Sequence, residues 1–139
     1  WSYIRLMIAI IKSEFNKEIV DGLLEGCKKA LAKQEIKIIS VPGAFELPAA
    51  ARYYATSKNY QAVITLGCVI KGDTDHYSYI CQAVTNGIMD ISIQSSVPVL
   101  FGVLTCQNAE LAFERSRENE FNKGYEVGLA ALKLLNSSI

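Results

Sequence analysis

The sequence predicts an α/β domain built as a three-layer sandwich, with a four-stranded parallel sheet between helices on both faces. Apolar runs begin near residues 4, 36, 61 and 97 and hardly alternate with polar residues, as expected for strands buried on both faces. A stretch with helical spacing of apolar residues follows each run. Strands that alternate with helices form parallel sheets with right-handed crossovers. The chain of 139 residues fits one such domain, which we expect to span residues 1–139.

Composition narrows the possible partners and the compartment. The 14 basic residues balance the 14 acidic ones, so the chain offers no field that would attract nucleic acid or an anionic membrane. The longest apolar runs, such as residues 6–11, are too short to cross a bilayer. The four cysteines lack C-x-x-C spacing and a histidine cluster, which argues against a metal site or a disulfide framework. We expect buried thiols in a reducing compartment, by default the cytoplasm: Cys27, Cys68, Cys81 and Cys106.

The first strand is expected to cover residues 4–11, at the centre of the sheet because its apolar run is nearly continuous. A polar loop at residues 12–16 follows and carries one aromatic residue, Phe15. Apolar residues recur on one face of the next stretch, which predicts a helix over residues 16–33. The second strand is expected at residues 36–41.

The next helix should begin around Pro48, because proline in the first turn of a helix loses no hydrogen bond. This helix is expected to run to about residue 57. The third strand, at residues 61–69, is apolar throughout and therefore buried on both faces. The helix after it is expected at residues 76–93.

The fourth strand is expected at residues 97–104, and Pro98 near its start predicts an edge position because proline cannot donate to a neighbouring strand. Thr105 or Asn108 is expected to cap the following helix. The last two helices are expected to end near residue 117 and to span residues 123–136.

Ligands of parallel α/β sheets bind at the carboxyl ends of the strands, where four loops should meet: residues 13–16, 42–46, 71–76 and 104–108. In the third of these loops the chain turns at Gly72, and a helix begins near Asp75. The unpaired N–H groups and the partial positive charge of a helix start favour an anion, most simply phosphate. The single histidine, His76, lies at this helix start.

Each polar or aromatic side chain near this edge has both a functional and a structural interpretation. His76 could transfer protons or only cap a helix, and Phe15 could stack on a planar ligand or cover the core. Glu46 could bind ligand hydroxyls or favour a helix dipole, and Arg115 could pair with phosphate or form a surface salt bridge. The turn at residues 72–74 lacks the G-x-x-x-x-G-K-[ST] pattern, so a nucleoside triphosphate is not indicated. The residues alone predict a site for a phosphate-bearing small molecule and assign no reaction.

Five motifs in a fixed order resemble one known family, and the resemblance runs from S-E-F-N at residues 13–16 to the end of the chain. The motifs are V-P-G-A-F-E-L-P at 41–48, G-C-V-I-K-G-D-T-D-H-Y-S-Y at 67–79, V-P-V-L-F-G-V-L-T at 97–105, E-R at 114–115 and N-K-G at 122–124. The family is lumazine synthase (6,7-dimethyl-8-ribityllumazine synthase). The resemblance implies a flavodoxin-like sheet and a homopentamer, or a 60-subunit shell built from twelve pentamers.

The resemblance also implies the reaction. Lumazine synthases condense 5-amino-6-ribitylaminouracil with 3,4-dihydroxy-2-butanone 4-phosphate, with loss of phosphate and water, in riboflavin biosynthesis. They use neither a cofactor nor a metal. His76 would then be the catalytic residue, moving protons during imine formation and phosphate loss.

The remaining site residues are carried over by the same resemblance. Phe15 would stack on the pyrimidine, and Glu46 would accept hydrogen bonds from hydroxyl groups. Further residues would hold the pyrimidine substrate: Ala44 and Phe45 at the ribityl chain and ring edge, and the backbone of Cys68, Val69 and Ile70. The phosphate would meet the backbone amides of Asp73 and Thr74, with Arg115 as its cationic partner and Lys123 as added positive charge. Phe101 would complete the pocket, and Phe101 and Arg115 would come from the neighbouring subunit.

Three alternatives remain at this level. An enzyme that converts lumazine into riboflavin on a similar fold would not need the phosphate groups at Asp73, Thr74 and Arg115. A flavin-binding shell without activity would bind riboflavin tightly without turnover. A flavodoxin-like FMN carrier would need a hydroxyl-rich phosphate loop after the first strand, and residues 12–16 form a poor one.

Overall fold

The computed structural model describes residues 6–137 and confirms the α/β sandwich. Within that range the strands are β1 (Met7–Ser13), β2 (Ile36–Val41), β3 (Tyr60–Ile70) and β4 (Val99–Cys106). The helices are α1 (Lys17–Leu31), α2 (Leu47–Thr56), α3 (His76–Gln94), α4 (Ala109–Glu114) and α5 (Lys123–Leu135), with one 3₁₀ turn at Ala44–Glu46.

The four strands are all parallel and lie in the order β2-β1-β3-β4, which is the flavodoxin-like arrangement. β1 is central, as its continuous apolar run predicted, and β4 lies at an edge, as Pro98 predicted. Pro98 lies immediately before β4, and its carbonyl oxygen accepts a 2.9 Å hydrogen bond from the N–H of Val63 in β3. Pro98 therefore joins the sheet through its carbonyl oxygen, at an edge position where its missing N–H group is not needed.

Each face of the sheet carries its own hydrophobic core. Ile8 and Ile10 of β1 point to the core shared with α1 and α5, whereas Ala9 and Ile11 point to the core shared with α2 and α3. All four side chains are fully buried. Side chains of a strand alternate between faces, so a strand covered on both sides must be apolar at every position.

The α1–α5 contact depends on glycine because the two helix backbones approach closely. A Cβ atom placed on Gly124 at the start of α5 would lie 1.8 Å from the carbonyl oxygen of Leu23 in α1. The segment between α4 and α5 comes equally close to α1, since a Cβ atom on Gly22 would lie 2.3 Å from the carbonyl oxygen of Ser116. Both positions therefore exclude any larger residue without movement of the backbone.

Two strand predictions were displaced along the chain. β1 begins at Met7 and continues to Ser13, through part of the loop expected at residues 12–16, because Lys12 and Ser13 still pair with β2. Residues 4 and 5 of the predicted strand lie outside the described residues. β4 spans Val99–Cys106 instead of residues 97–104, because its pairing with β3 extends until Cys106 lies opposite Ile70.

The predicted helix bounds agree closely with the structure except at two helices. α1 is shorter than the predicted residues 16–33, and α4 ends at Glu114 instead of near residue 117. Asn108, and not Thr105, caps α4, since its Oδ1 accepts a 2.9 Å hydrogen bond from the N–H of Leu111. Thr105 belongs to β4.

Helix α3 buries little of its apolar surface within this chain. Val84 and Ile88 are its buried residues, while Tyr79, Met89 and Ile93 are 71%, 55% and 74% exposed.

Across residues 6–137, no helix combines the length and the apolar character that crossing a bilayer requires.

Candidate active site at the carboxyl edge of the sheet

The loop after β1 is held against the ends of two neighbouring strands. The N–H groups of Glu14 and Phe15 donate to the carbonyl oxygens of Val41 (2.8 Å) and Pro42 (3.1 Å) at the end of β2. On the other side, Nδ2 of Asn16 donates to the carbonyl oxygen of Cys68 in β3, at 3.0 Å. The backbone is fixed on both sides, and the ring of Phe15 is left 71% exposed at the edge.

The loop after β2 adds a second exposed ring beside the first loop. Phe45 is 60% exposed, whereas Ala44 packs into the core under α2. Glu46 is exposed, and its Oε1 accepts a 2.8 Å hydrogen bond from the N–H of Gly43. This contact is the glutamate half of a capping box, so Glu46 has a structural role at the 3₁₀ turn, and its binding of ligand hydroxyls stays a prediction.

The end of β3 contributes backbone groups and not side chains. The Cys68 side chain is 2% exposed and packs in the α1–α5 core, where burial raises the pKa of its thiol to about 12. Val69 and Ile70 are half-buried at the last positions of the strand. The N–H of Lys71 donates to the carbonyl oxygen of Cys106 at 2.9 Å and so extends the β3–β4 pairing by one position. Cys68 is therefore unsuited to act as a thiolate nucleophile.

The turn that follows is open to solvent. Residues 71–76 are all exposed, and a Cβ atom on Gly72 would meet no heavy atom within 4 Å. His76 is the first residue of α3, and its N–H lies 3.3 Å from Oγ1 of Thr74. The sequence thus correctly predicted a helix start at this position, and the imidazole of His76 is free to meet a ligand at the edge.

A second group of predicted site residues lines a cavity beside β4: Phe101, Arg115 and Lys123. The cavity has a volume of about 400 Å³ and lies against the outer edge of β4. The N–H of Lys123 donates to the carbonyl oxygen of Arg115 at 2.8 Å, so the two cationic residues are joined through the main chain. Burial raises the pKa of the Cys106 thiol, and the nearby charge of Arg115 opposes this rise.

The two groups of residues are separated along the strands of one chain. Phe101 lies opposite Thr65, whereas the β3–β4 pairing ends at Ile70 and Cys106. At about 3.3 Å per residue, Phe101 is roughly 16 Å from the carboxyl end of its strand. The cavity lining contains Phe101, Arg115 and Lys123 and none of the other predicted site residues. The same cavity also reaches Thr105, Cys106 and Gln107 at the carboxyl end of β4, so it meets that edge of the sheet while Phe101 lies far from it.

A larger concavity of about 740 Å³ contains none of the predicted site residues. It lies between α1 and the segment that joins α4 to α5, and Gly22, Gly26, Ser116, Asn122 and Tyr125 are part of its lining. Sequence reasoning missed two residues as structural determinants: Asn16, in the loop after β1, and Asn122, at the start of α5. Their motifs S-E-F-N and N-K-G offered a signal, because asparagine is favoured where a side chain must bond to backbone.

The cysteines and other ligand-type residues offer no metal centre in the described part of the chain. The four cysteines are free, and no cluster of three histidine, cysteine, aspartate or glutamate residues within 6–137 could hold a metal ion. Three of the thiols are buried and Cys81 is half-buried.

Comparison with models of known protein families gives a match over nearly the whole chain. Residues 5–138 match the model described as 6,7-dimethyl-8-ribityllumazine synthase. The matched range includes every strand and helix described above and all of the predicted site residues. The chain belongs to the lumazine synthase family.

Proposed function

We propose that this protein is an active 6,7-dimethyl-8-ribityllumazine synthase. It condenses 5-amino-6-ribitylaminouracil with 3,4-dihydroxy-2-butanone 4-phosphate and releases phosphate and water, in the pathway to riboflavin. The observation that carries the proposal is the pairing of an open edge bearing aromatic rings and one histidine with a separate cavity bearing two cations. These are the groups that a planar amine and a phosphorylated ketone require.

The pyrimidine substrate binds at the ends of β1, β2 and β3. Phe15 stacks on the ring, since its exposed side chain stands on a backbone that is fixed from both sides. Ala44, Phe45 and Glu46 contact the ribityl chain and the ring edge. The backbone groups of Cys68, Val69 and Ile70 meet the polar edge of the pyrimidine. The second carboxylate oxygen of Glu46 accepts from hydroxyl groups, since Oε1 already accepts from the N–H of Gly43.

The phosphate group binds between the turn and the cations. Asp73 and Thr74 offer backbone N–H groups, Arg115 supplies a forked cationic donor and Lys123 adds charge. The amine of the pyrimidine adds to the ketone, and loss of water gives an imine. His76 moves protons in this step and in the later cleavage of the C–O bond, whose electron pair leaves with the phosphate. Positioning of two reactive partners supplies most of the acceleration.

The complete site forms between two copies of the chain. Phe101 lies about 16 Å from the carboxyl edge of its own sheet, which supports its supply by the neighbouring subunit, and Arg115 and Lys123 line the same cavity and would come with it. The exposed apolar residues of α3 support such an association. We propose a homopentamer, either alone or within a 60-subunit shell, and four free cysteines fit a reducing compartment such as the cytoplasm.

The test is to mix the two substrates with the purified protein and to follow lumazine fluorescence and released phosphate. An enzyme-free mixture corrects for the uncatalysed condensation. His76→Ala should lower kcat by about 10²–10⁴-fold with little change in KM. Ser78→Ala, on the same turn of α3, is the matched control and should retain activity. No acceleration over the enzyme-free mixture would refute the synthase, and tight riboflavin binding without turnover would identify a flavin-binding protein instead.

A further inference from the structure

Asn122 is a buried amide that joins three parts of the chain. Its side chain is 4% exposed, and its Oδ1 accepts a 2.9 Å hydrogen bond from the N–H of Tyr125, which caps α5. Its Nδ2 donates to the carbonyl oxygens of Arg117 (2.9 Å) and of Gly22 in α1 (3.2 Å). These bonds use both donors and an acceptor of the amide, so Asn122 is well satisfied in its buried position.

The segment between α4 and α5, residues 115–123, begins and ends with the two cationic residues of the 400 Å³ cavity. Arg115 lies just after α4, and Lys123 is the first residue of α5. The chain leaves Arg115 and returns to it, since the N–H of Lys123 donates to the carbonyl oxygen of Arg115 at 2.8 Å. The position of α5 relative to this segment therefore determines the separation of the two cationic side chains.

Helix α1 is shaped to receive the segment. A Cβ atom on Gly26 would lie 2.1 Å from Oδ1 of Asn122, and one on Gly22 would lie 2.3 Å from the carbonyl oxygen of Ser116. Glycine is unfavourable in the interior of a helix, so its presence at two positions one turn apart reflects this close contact. The segment is thus seated on α1 through a specific fit and not through loose surface contact.

The other link between α1 and the segment is weaker. Nζ of Lys29 pairs with a carboxylate oxygen of Glu118, but both side chains are exposed. Exposed ion pairs contribute little, because water competes for both charges. Of the two polar links between α1 and the segment, the buried bond from Asn122 to Gly22 is therefore the stronger restraint.

We infer that Asn122 is a positioning residue for phosphate binding, which holds Arg115 and Lys123 in the arrangement that one phosphate group requires. The inference rests on the proposed function, because the phosphate role of the two cations belongs to that proposal. Asn122 itself bonds to α1 and to the segment, and it is not part of the lining of the cavity that contains Arg115 and Lys123. Its effect reaches the phosphate through the main-chain bond between Lys123 and Arg115.

Asn122→Asp separates positioning from simple helix capping. The aspartate keeps an oxygen that accepts from the N–H of Tyr125 and remains a good N-cap residue. It replaces both donors with an oxygen that faces the carbonyl groups of Gly22 and Arg117, which repels them. Asn108→Asp is the matched control, because Asn108 caps α4 through the same kind of contact with Leu111 and is exposed.

The measurements are the affinity of the assembled protein for inorganic phosphate, by calorimetry, and the KM of each substrate. Asn122→Asp should weaken phosphate binding and raise the KM of the butanone phosphate by on the order of tenfold to a hundredfold. The KM of the pyrimidine should stay within a factor of about two, which a general loss of stability would not produce. Asn108→Asp should leave all three values near those of the wild type. If Asn122→Asp does not fold, Asn122→Ser carries the same test, since its hydroxyl caps α5 and leaves room for water.

Unchanged phosphate affinity in a folded Asn122 variant, or equal changes in both KM values, would overturn the inference. The calorimetric arm distinguishes this failure from failure of the proposed function. A wild type that binds phosphate but forms no lumazine refutes the synthase, and weaker phosphate binding by Asn122→Asp would still support positioning. A wild type that binds no phosphate overturns both.

Discussion

The side chain of Asn16 donates from Nδ2 to the carbonyl oxygen of Cys68 at 3.0 Å and so ties the exit of β1 to the end of β3. Asn16 has left-handed backbone angles, with φ of 60° and ψ of 48°. Asparagine tolerates this conformation better than most residues with a side chain. The bond and the unusual backbone together orient the preceding residue, Phe15, whose ring faces solvent.

Replacement of Phe15 tests the stacking role. Phe15→Ala should raise the KM of the pyrimidine roughly tenfold, because stacking on an aromatic ring contributes about 1–1.5 kcal/mol. The KM of the butanone phosphate should change little. Steady-state kinetics with each substrate varied in turn gives both values. Phe121→Ala is the control, since Phe121 is also an exposed ring but lies in the segment between α4 and α5; an equal effect of the two variants would contradict the stacking role.

Replacement of Arg115 tests the phosphate role. Arg115→Ala should raise the KM of the butanone phosphate on the order of tenfold to a hundredfold, since hydrogen bonds to charged groups contribute about 1.5–3 kcal/mol. The KM of Arg115→Lys should lie between the values of the wild type and of Arg115→Ala, because lysine keeps the positive charge and loses the forked pair of donors. Competitive inhibition by inorganic phosphate should weaken in parallel. Arg117→Ala, two positions further on and also exposed, should have little effect. A comparable rise in the KM of the pyrimidine for Arg115→Ala would count against the assignment.

Mixed assemblies test whether each site is shared between two chains. His76→Ala and Arg115→Ala should each be nearly inactive with dilute butanone phosphate. The two variants are then unfolded together in equal amounts and reassembled. If each site takes His76 from one chain and Arg115 from its neighbour, about a quarter of the sites should have both residues intact. Activity should therefore reappear, and native mass spectrometry with one isotope-labelled variant would verify mixing. Mixed particles without regained activity would show that both residues act in the same chain.

The glycines test how closely the backbones approach. Gly124→Ala should lower the free energy of unfolding by about 3 kcal/mol or more, because its Cβ would lie 1.8 Å from the carbonyl oxygen of Leu23. Gly72→Ala is the matched change at an open position, where no heavy atom lies within 4 Å, and should be neutral or slightly stabilising. Denaturant titration of both variants measures the difference. Equal stability of the two would contradict the close contact of α1 with α5.

Much of the fold followed from local signals. The apolar run that became β1 predicted a central strand, and Pro98 predicted the edge position of β4. His76 was expected at a helix start because a turn separates a buried strand from residues with helical spacing, and α3 begins there. These features depend on the alternation and spacing of neighbouring residues, which a sequence displays directly.

The ends of the strands were less accessible to such reasoning. Cys106 belongs to β4 because it has a partner in Ile70, a residue far away in the sequence. Lys12 and Ser13 were predicted to lie in a loop, yet they pair with β2. A strand ends where its partner ends, and no local pattern records the register of the pairing.

The sequence by itself determined the class of fold and the approximate elements, and it predicted a set of residues that could serve a phosphate-bearing substrate. Tertiary structure alone decided how those residues are grouped. It placed Phe101 five pairs before the end of the β3–β4 ladder, with Arg115 and Lys123 at the outer edge of β4. It also brought Asn122 against Gly22, 100 positions earlier in the chain. Such groupings arise from packing between distant segments, whose free energy depends on complementary shapes that no single stretch of sequence contains.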